Sequence, residues 1–450
     1  MRACSSTLAG RALIPLILMI ILAGWIRIDF AASQIDGVFT RKDAGVYLNY
    51  VINLYRSGTF SMMDPGPTLV PDSFRSPGYP LLIALTMVIG GEAGFLPILM
   101  LTQSVLGTLL VPLTFLLGRF FLPVGGALIA AFLVAVSPHL ITITGYLLTE
   151  TLFSFCLLAA LYAFQRAQSS PRWTASALAG MLFGAAYLTN ETALFLPFLL
   201  AAVAGVWEKR IRKAVSKEWV IHVVVLLSVF SLFPVAWAIR NRIHVPPDAK
   251  KGIDRAVISM SHGAYPDFIY KNPSNRIFPY REDPEQPEFG GSLNVFFRVL
   301  GDRVREEPMR YLKWYTIGKP YSLWSWSIIQ GVGGIYIYPV RESRLHHSRA
   351  FGFVYGIMRG IHPILIIAAL FCLPLVLFKH PEDLGQTGPD RLPLLPLTAC
   401  LYITLMYTLF APWPRYSIPL RPELYLCALW TIVTVVDHLR GYGQANRIGG

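Results

Sequence analysis

Residues 219–239 read WVIHVVVLLSVFSLFPVAWAI, a run without Lys, Arg, Asp or Glu. Wound as an α-helix it reaches about 30 Å, the thickness of a bilayer's hydrocarbon core, and a helix satisfies its own backbone groups where no water can. Working outward, comparable apolar runs lie near residues 12–28, 95–118, 124–138, 148–165, 174–189, 192–207, 353–378, 392–411 and 418–437. Tyr79 to Ile89 is apolar but short, which fits a helix on the interface, one dipping into it, or an additional crossing. The pattern predicts an all-α polytopic membrane protein with about ten crossings.

Composition points the same way. The 450 residues are 54% hydrophobic and 14% charged, whereas a soluble chain carries about 25% charged residues. The net charge is +13, but the Lys and Arg are scattered over connections rather than gathered in one basic domain, which argues against nucleic acid as a partner. Cys156, Cys372, Cys400 and Cys427 lie in or beside apolar runs and Cys4 precedes the first. They read as small buried hydrophobes, not as a disulfide framework. Small residues Ala31, Ala32 and Ser33 follow the first run, but the run is long for a signal peptide and no clean small-x-small cleavage site stands out, so it reads as a retained anchor.

Orientation follows from the short loops. With the N-terminus inside, the cytoplasmic set holds Arg119, Arg166, Arg172, the basic cluster from Lys209 to Lys217, then Lys379, Arg391, Arg440 and Arg447, as the positive-inside rule requires. Residues 29–94 and 240–352 then lie outside. The chain divides into a membrane core, 1–240, that includes the first outer loop; an extracytoplasmic region, 241–352; and closing helices, 353–450. No cytoplasmic loop exceeds about a dozen residues, against the ~30 of a single βαβ unit, so a soluble nucleotide-binding domain is excluded.

Several residues with chemical potential fall on the outer side. In RKDAGVYLNYVINLYRSGTF, Asp43, Tyr47, Tyr50, Val51, Leu54 and Tyr55 recur at helical spacing, predicting an amphipathic surface helix with an acid at its start. Asp43 is an acid held at the water boundary, or a helix-start acid paired with Thr40. Arg75 precedes the short apolar segment, where a planar cation can grip a phosphate or simply anchor at headgroups. Glu150, in GYLLTETLF, and Glu191, in YLTNETALF, both open helices. Acids at membrane depth point to function, the reading taken for Glu150; Glu191 with Asn190 reads as a cap. Arg240 and Asn241 end the seventh run, and Arg415 and Tyr416 precede the tenth. No HExxH, CxxC pair, GKS or GKT loop, or GxSxG elbow is present, and His262, His346 and His347 give no metal-ligand pattern.

The set from Asp43 through Tyr47 and Gly58 to Arg75 and Pro77-Gly78-Tyr79-Pro80, then LLTE at Glu150, IRN at Arg240 and PRY at Arg415, resembles the GT-C glycosyltransferases. It looks most like the branch of protein O-mannosyltransferases and the aminoarabinose transferase of lipid A. The resemblance implies a GT-C fold with about ten to eleven transmembrane helices and juxtamembrane helices on the outer face. It implies transfer of a sugar, with inversion, from a polyprenyl-phosphate donor to a hydroxyl-bearing protein, lipid or glycan at the extracytoplasmic face of the cell membrane, without a cofactor. By the same resemblance Asp43 is the general base and Glu150 stands where the family often carries an Asp. Arg75 faces the donor phosphate with Arg415 as a further candidate, and Tyr47, Arg240 and Tyr416 join the substrate-binding set.

That chemistry suits the residue types. Glycosyl transfer passes through an oxocarbenium-like state, so it needs a proton acceptor and cations for the departing phosphate. A transporter or flippase for lipid-linked sugars is the alternative. It should carry ionisable groups deep in its spans and internal repeats, whereas the charges here gather at outer ends. A scaffold leaves the Asp43, Arg75 and Glu150 pattern without a role. RVREEPMRYLKWYTIGKPYSLWSW, residues 303–326, suits sugar stacking or an interface belt, and SHGAYPDFIYKNPSNR, residues 261–276, suits a loop over the substrate.

Overall fold

The computed structural model describes residues 2–35, 43–169, 172–266, 270–271, 280–281, 289, 292–329, 332–378 and 392–448. Thr40, Lys379, Arg391 and half of the 261–276 stretch lie outside them. α1 (Arg2–Ser33), α2 (Asp43–Ser57), α3 (Gly78–Gly118), α4 (Val124–Val136) and α5 (Pro138–Thr142) lead into α6 (Glu150–Ser169), α7 (Trp173–Thr189), α8 (Leu196–Arg212) and α9 (Lys217–His244). The long connection then carries α10 (Gly252–His262), α11 (Leu293–Glu306), α12 (Pro308–Lys313), a π-turn over Trp314–Gly318, α13 (Lys319–Leu323) and α14 (Arg344–His347). The helices α15 (Arg349–Phe378), α16 (Leu394–Leu409) and α17 (Arg421–Ile448) close the chain. Tyr270–Lys271 pairs antiparallel with Tyr280–Arg281.

The chain is a multi-pass membrane protein. Among the described residues six helices are long and apolar enough to cross the hydrocarbon, seven if the bent pair Val124–Val136 and Pro138–Gly145 counts as one span. The remaining expected crossings, in α6, α7 and α16, are helical but shorter or more polar. Ile14, Leu18 and Ile21 of α1 and Ile364, Leu370 and Phe371 of α15 are exposed. In water that apolar surface would drive association, but lipid tails solvate it. α6 is buried along most of its length and packs between α3 and α7.

The structure resolves the ambiguity of Tyr79 to Ile89. Gly91 takes φ +66° inside α3, a left-handed conformation that costs glycine little. Tyr79 Oη donates to Gln103 Oε1 at 2.9 Å, although a straight helix would hold those residues about 36 Å apart. The helix therefore doubles back at Gly91, and its first arm, about 20 Å long, is short of a crossing. Tyr79, Ile83 and Met87 of that arm pack with Leu99 and Met100 of the second and with Tyr47 and Val51 of α2, which seats α2 on the bundle.

A second discontinuity lies between α4 and α5, where Ser137 is extended ahead of Pro138 and the axis turns by 51°. The break frees backbone carbonyls in an apolar setting. Arg27, fully buried in α1, takes them: its Nη1 donates to Ala135 O at 2.9 Å and its Nη2 to Val134 O at 2.8 Å, while Nη1 also reaches Ala23 O of its own helix at 3.2 Å. Gln103 Nε2 donates to Thr144 O and Tyr146 O, both at 3.0 Å. Gly107 leaves room for this arrangement, since a Cβ there would lie 2.9 Å from Thr144 Cγ2 and 3.2 Å from Arg27 Nε. These contacts route residues 138–149 to the mouth of α6.

Replacing Arg27 by Met should destabilise the protein by about 1–3 kcal/mol for each carbonyl left without a donor. The check is the thermal unfolding midpoint in detergent micelles, with Arg27→Lys expected to fall between the wild type and Arg27→Met. A Met variant as stable as wild type would show that the break needs no donor.

Candidate active site

Asp43 is the first residue of α2, and its neighbours Tyr47, Tyr50 and Val51 face inward and are buried. The amphipathic spacing thus fixes the acid at the end of a helix anchored by its aromatic face. Arg75 Nη2 reaches Asp43 Oδ1 at 2.6 Å, and Arg415 Nη2 reaches Asp43 Oδ2 at 2.5 Å. One carboxylate is held between two guanidinium groups from opposite ends of the sequence.

Each arginine has its own support. Asp72, buried, accepts from the Tyr50 hydroxyl, from Met62 N at 2.6 Å and from Phe74 N at 3.0 Å, and Arg75 N donates to Tyr50 Oη at 3.2 Å. The Tyr50 and Asp72 pair therefore sets the backbone from which Arg75 projects. Arg75 also lies over the Tyr47 ring, 5.4 Å from its centroid. Arg415 rises from a 3-10 turn, Pro414–Leu420, tied to α6 by Ser154 Oγ donating to Pro419 O at 2.8 Å. Its guanidinium lies 5.0 Å from the Tyr416 ring, which stacks on Tyr407 at 4.7 Å.

Glu150, 5% exposed at the start of α6, has Oε1 3.6 Å from Arg415 Nε. Arg415 thus stands between two carboxylates. Burial opposes the charged form of Asp43, but Arg75 and Arg415, with a smaller effect from Arg255, outweigh it and hold the carboxyl well below the usual carboxylate range. Burial likewise works against the Arg75 cation, and the neighbouring Asp43 charge reverses that and raises its pKa.

These groups line a cavity of about 700 Å³ together with Tyr47, Thr149, Asn190, Glu191, Arg255, Tyr338 and Tyr416, among others. Arg75 Nε, Arg415 Nε and Glu150 Oε2 are buried there without a hydrogen-bond partner among the described residues. Donors and an acceptor stripped of water and left unmatched suit a polar ligand that completes them. No cluster of metal-binding side chains occurs among the described residues.

Residues 74–237 match the family model described as dolichyl-phosphate-mannose-protein mannosyltransferase. The match takes in Arg75 and Glu150 and leaves out Asp43 and Arg415. The Archaeoglobus fulgidus oligosaccharyltransferase, solved with Zn and sulfate, superposes on 94% of this chain and 49% of its own at a TM-score of 0.53 with 15% identity. The chain has the GT-C glycosyltransferase fold. The Saccharomyces cerevisiae protein O-mannosyltransferase Pmt1-Pmt2 complex bound to the sugar donor aligns over 53% of this chain and 35% of its own, at 20% identity and a TM-score of 0.42. The chain therefore spans about half the length of the first relative and about a third of the second. No curated protein matches it in sequence.

Within this GT-C fold the residues singled out in the sequence separate into two groups. Asp43, Tyr47, Arg75, Glu150, Arg415 and Tyr416 converge on the cavity. Arg240 does not: its Nη1 donates to Asp72 O at 2.6 Å and its Nη2 to Phe60 O at 3.4 Å, while the guanidinium lies between the Phe60 and Trp237 rings. It buttresses the loop behind Arg75 instead of lining the cavity. Among the cavity residues that come from the long connection, Arg255 and Tyr338 carry polar groups that went unmarked in the sequence. Tyr338 lines the cavity beside Arg415, and Arg255 projects from α10. The helical spacing of Arg255, Ser259 and His262, all on the cavity, was the signal that could have found α10. Glu191, read as a cap, also lines the cavity and lies against Gly252 at the start of that helix.

Removing the Arg415 cation favours the protonated form of Asp43, so Arg415→Gln should raise the Asp43 titration midpoint. Difference infrared spectroscopy of the carboxyl band, with Asp43→Asn to identify it, reads the shift. An unchanged midpoint would mean that Arg415 does not act on Asp43 in the membrane.

Proposed function

We propose that this chain is an inverting glycosyltransferase that moves a sugar from a polyprenyl-phosphate donor to a hydroxyl-bearing acceptor at the outer face of the cell membrane. The observation that carries the reading is Asp43 held between Arg75 and Arg415 on a cavity that also contains Glu150. A carboxylate beside two guanidinium groups offers a proton acceptor and cations for a departing phosphate at one point. The description of the family model matched by residues 74–237 supports a lipid-phosphate sugar as donor and a protein as one class of acceptor.

In this reading the acceptor oxygen attacks the anomeric carbon from the face opposite the phosphate. The bond between that carbon and the phosphate oxygen breaks with its electron pair staying on the phosphate, which inverts the centre. The hydroxyl proton passes to Asp43. Arg75 and Arg415 neutralise the charge that builds on the leaving phosphate, in a site dry enough to make that stabilisation large. Glu150 holds Arg415 from the other side and offers Oε2 to a sugar hydroxyl.

The ion pairs have a consequence for timing. While both arginines face Asp43 it is a weak base. A donor phosphate competes for the same guanidinium groups, and as they turn toward it Asp43 regains proton affinity. Donor binding thereby activates the base.

The direct test is a transfer assay with radiolabelled polyprenyl-phosphate sugars in proteoliposomes. Asp43→Asn should lower turnover by roughly 10²–10⁴-fold, the usual worth of a general base, and retained turnover would remove the assignment. The pH profile adds a signed check. The base must be unprotonated and its carboxyl is held low in the free enzyme, so kcat/KM should stay level down to about pH 4, where an ordinary Asp would already be half protonated. Arg415→Gln should move that acid limb upward. Reactivity of cysteines placed at 43 and 150 toward impermeant reagents tests the side: labelling from the cytoplasm alone would exclude an outer-face site. A flippase would move the lipid without releasing its sugar and with no need of Asp43.

A further inference from the structure

Lys319 is fully buried, although it belongs to the long connection and makes no contact with the cavity. It follows the π-turn Trp314–Gly318 at the start of α13. Single π-turns interrupt helices mostly where a side chain must be aimed. The Lys319 ammonium lies 3.9 Å from the centroid of the Tyr315 ring and donates to Thr408 O at 2.8 Å and Phe410 O at 3.3 Å. Thr408 lies in the last turn of α16, whose final carbonyls have no partner within the helix, and Phe410 is the residue that caps it.

The same segment is held further along. Ser322 Oγ donates to Pro412 O at 3.1 Å, and on the other side Ala411 N donates to Ser259 Oγ of α10 at 3.4 Å. Alternate carbonyls 408, 410 and 412 thus point to α13. Three residues past the last of them the chain reaches Arg415. Pro412 and Pro414 stiffen the stretch between, because each fixes its own φ.

We infer that Lys319, with Ser322, is a positioning residue: it clamps residues 408–412 so that Arg415 is aimed at Asp43 and Glu150. A buried ammonium is costly unless its donors are matched. Here the matched groups are backbone carbonyls of the segment that delivers the site's second cation, not any acid of its own. The long connection would then serve the site by fixing the geometry of a side chain that belongs to the closing helices.

The kinetic part of the test rests on the glycosyl-transfer reading. Lys319→Met should lower kcat/KM for the lipid-linked donor by about tenfold to a hundredfold, the scale on which displacing a catalytic group by an ångström acts, and should raise the acid limb of the pH profile as Arg415 leaves Asp43. A purely structural role would lower activity without moving the limb. Combined with Arg415→Gln, Lys319→Met should add less than a further twofold, whereas losses that multiply would overturn the clamp. Ser322→Ala, a milder change, should give a smaller shift in the same direction, and it carries the test if Lys319→Met does not fold.

A substrate-free arm separates the two ideas. In the full chain carrying Asp43→Cys and Arg415→Cys, a short bifunctional thiol reagent should bridge the two positions, and adding Lys319→Met or Ser322→Ala should reduce the bridging. Unchanged bridging in a folded Lys319→Met protein would overturn the clamp even if the chain proves to be a transferase. Reduced bridging in a chain with no transferase activity would keep the clamp and reject the proposed reaction.

Discussion

A backbone carbonyl in an apolar interior must find a donor, and the break between α4 and α5 leaves several without one. Arg27 supplies the donors from α1, and Gln103 of α3 does the same for the carbonyls of 144 and 146 beyond α5. Much else depends on that. With the carbonyls of 134, 135, 144 and 146 satisfied, the chain can leave the helix within the bundle and reappear at Thr149 and Glu150 on the floor of the cavity. A continuous helix through this region would have carried Glu150 past the site. Gly107 belongs to the same solution, because only a residue without a side chain lets α3 approach the Arg27 guanidinium so closely.

The electrostatics of the site follow from a similar need. Asp43, Arg75, Glu150 and Arg415 are all largely withdrawn from water, where an isolated charge is costly and a paired one is tolerated. The pairing is closed around Asp43 and incomplete elsewhere: Arg75 Nε, Arg415 Nε and Glu150 Oε2 keep unused valences. A site built this way is stable without ligand and still has specific hydrogen bonds to offer one. It also gives Arg415 a central place, since it touches Asp43, faces Glu150 and carries Tyr416 and Tyr338 on its flanks.

Much of this was legible locally. The apolar runs, the amphipathic face of α2 and the polar residues at helix starts are properties of short stretches, and the order of short motifs was enough to suggest the GT-C resemblance. What short stretches could not decide were the readings that turn on contact. Tyr79 to Ile89 is compatible with a crossing, a dip or a surface helix until Tyr79 is seen bonded to Gln103. Arg240 looks like Arg75 and Arg415 in sequence, a cation beside a helix end, but its partners are the carbonyls of Phe60 and Asp72. Arg255, Tyr338 and Lys319 sit in a connection so rich in aromatic and basic residues that composition cannot separate one from another.

By itself the sequence determined that the chain is helical and membrane-embedded, because hydrophobic length and periodicity act within one segment and need no partner. It also determined which acids and arginines stand near helix ends. The tertiary structure alone decided which of them meet. Asp43 and Arg415 are 372 residues apart, and their contact depends on a helix break, a doubled-back α3 and a clamped turn, each held by hydrogen bonds between distant segments. Such bonds leave no periodic trace in the chain, since a donor and its acceptor need only the right geometry, not the right spacing.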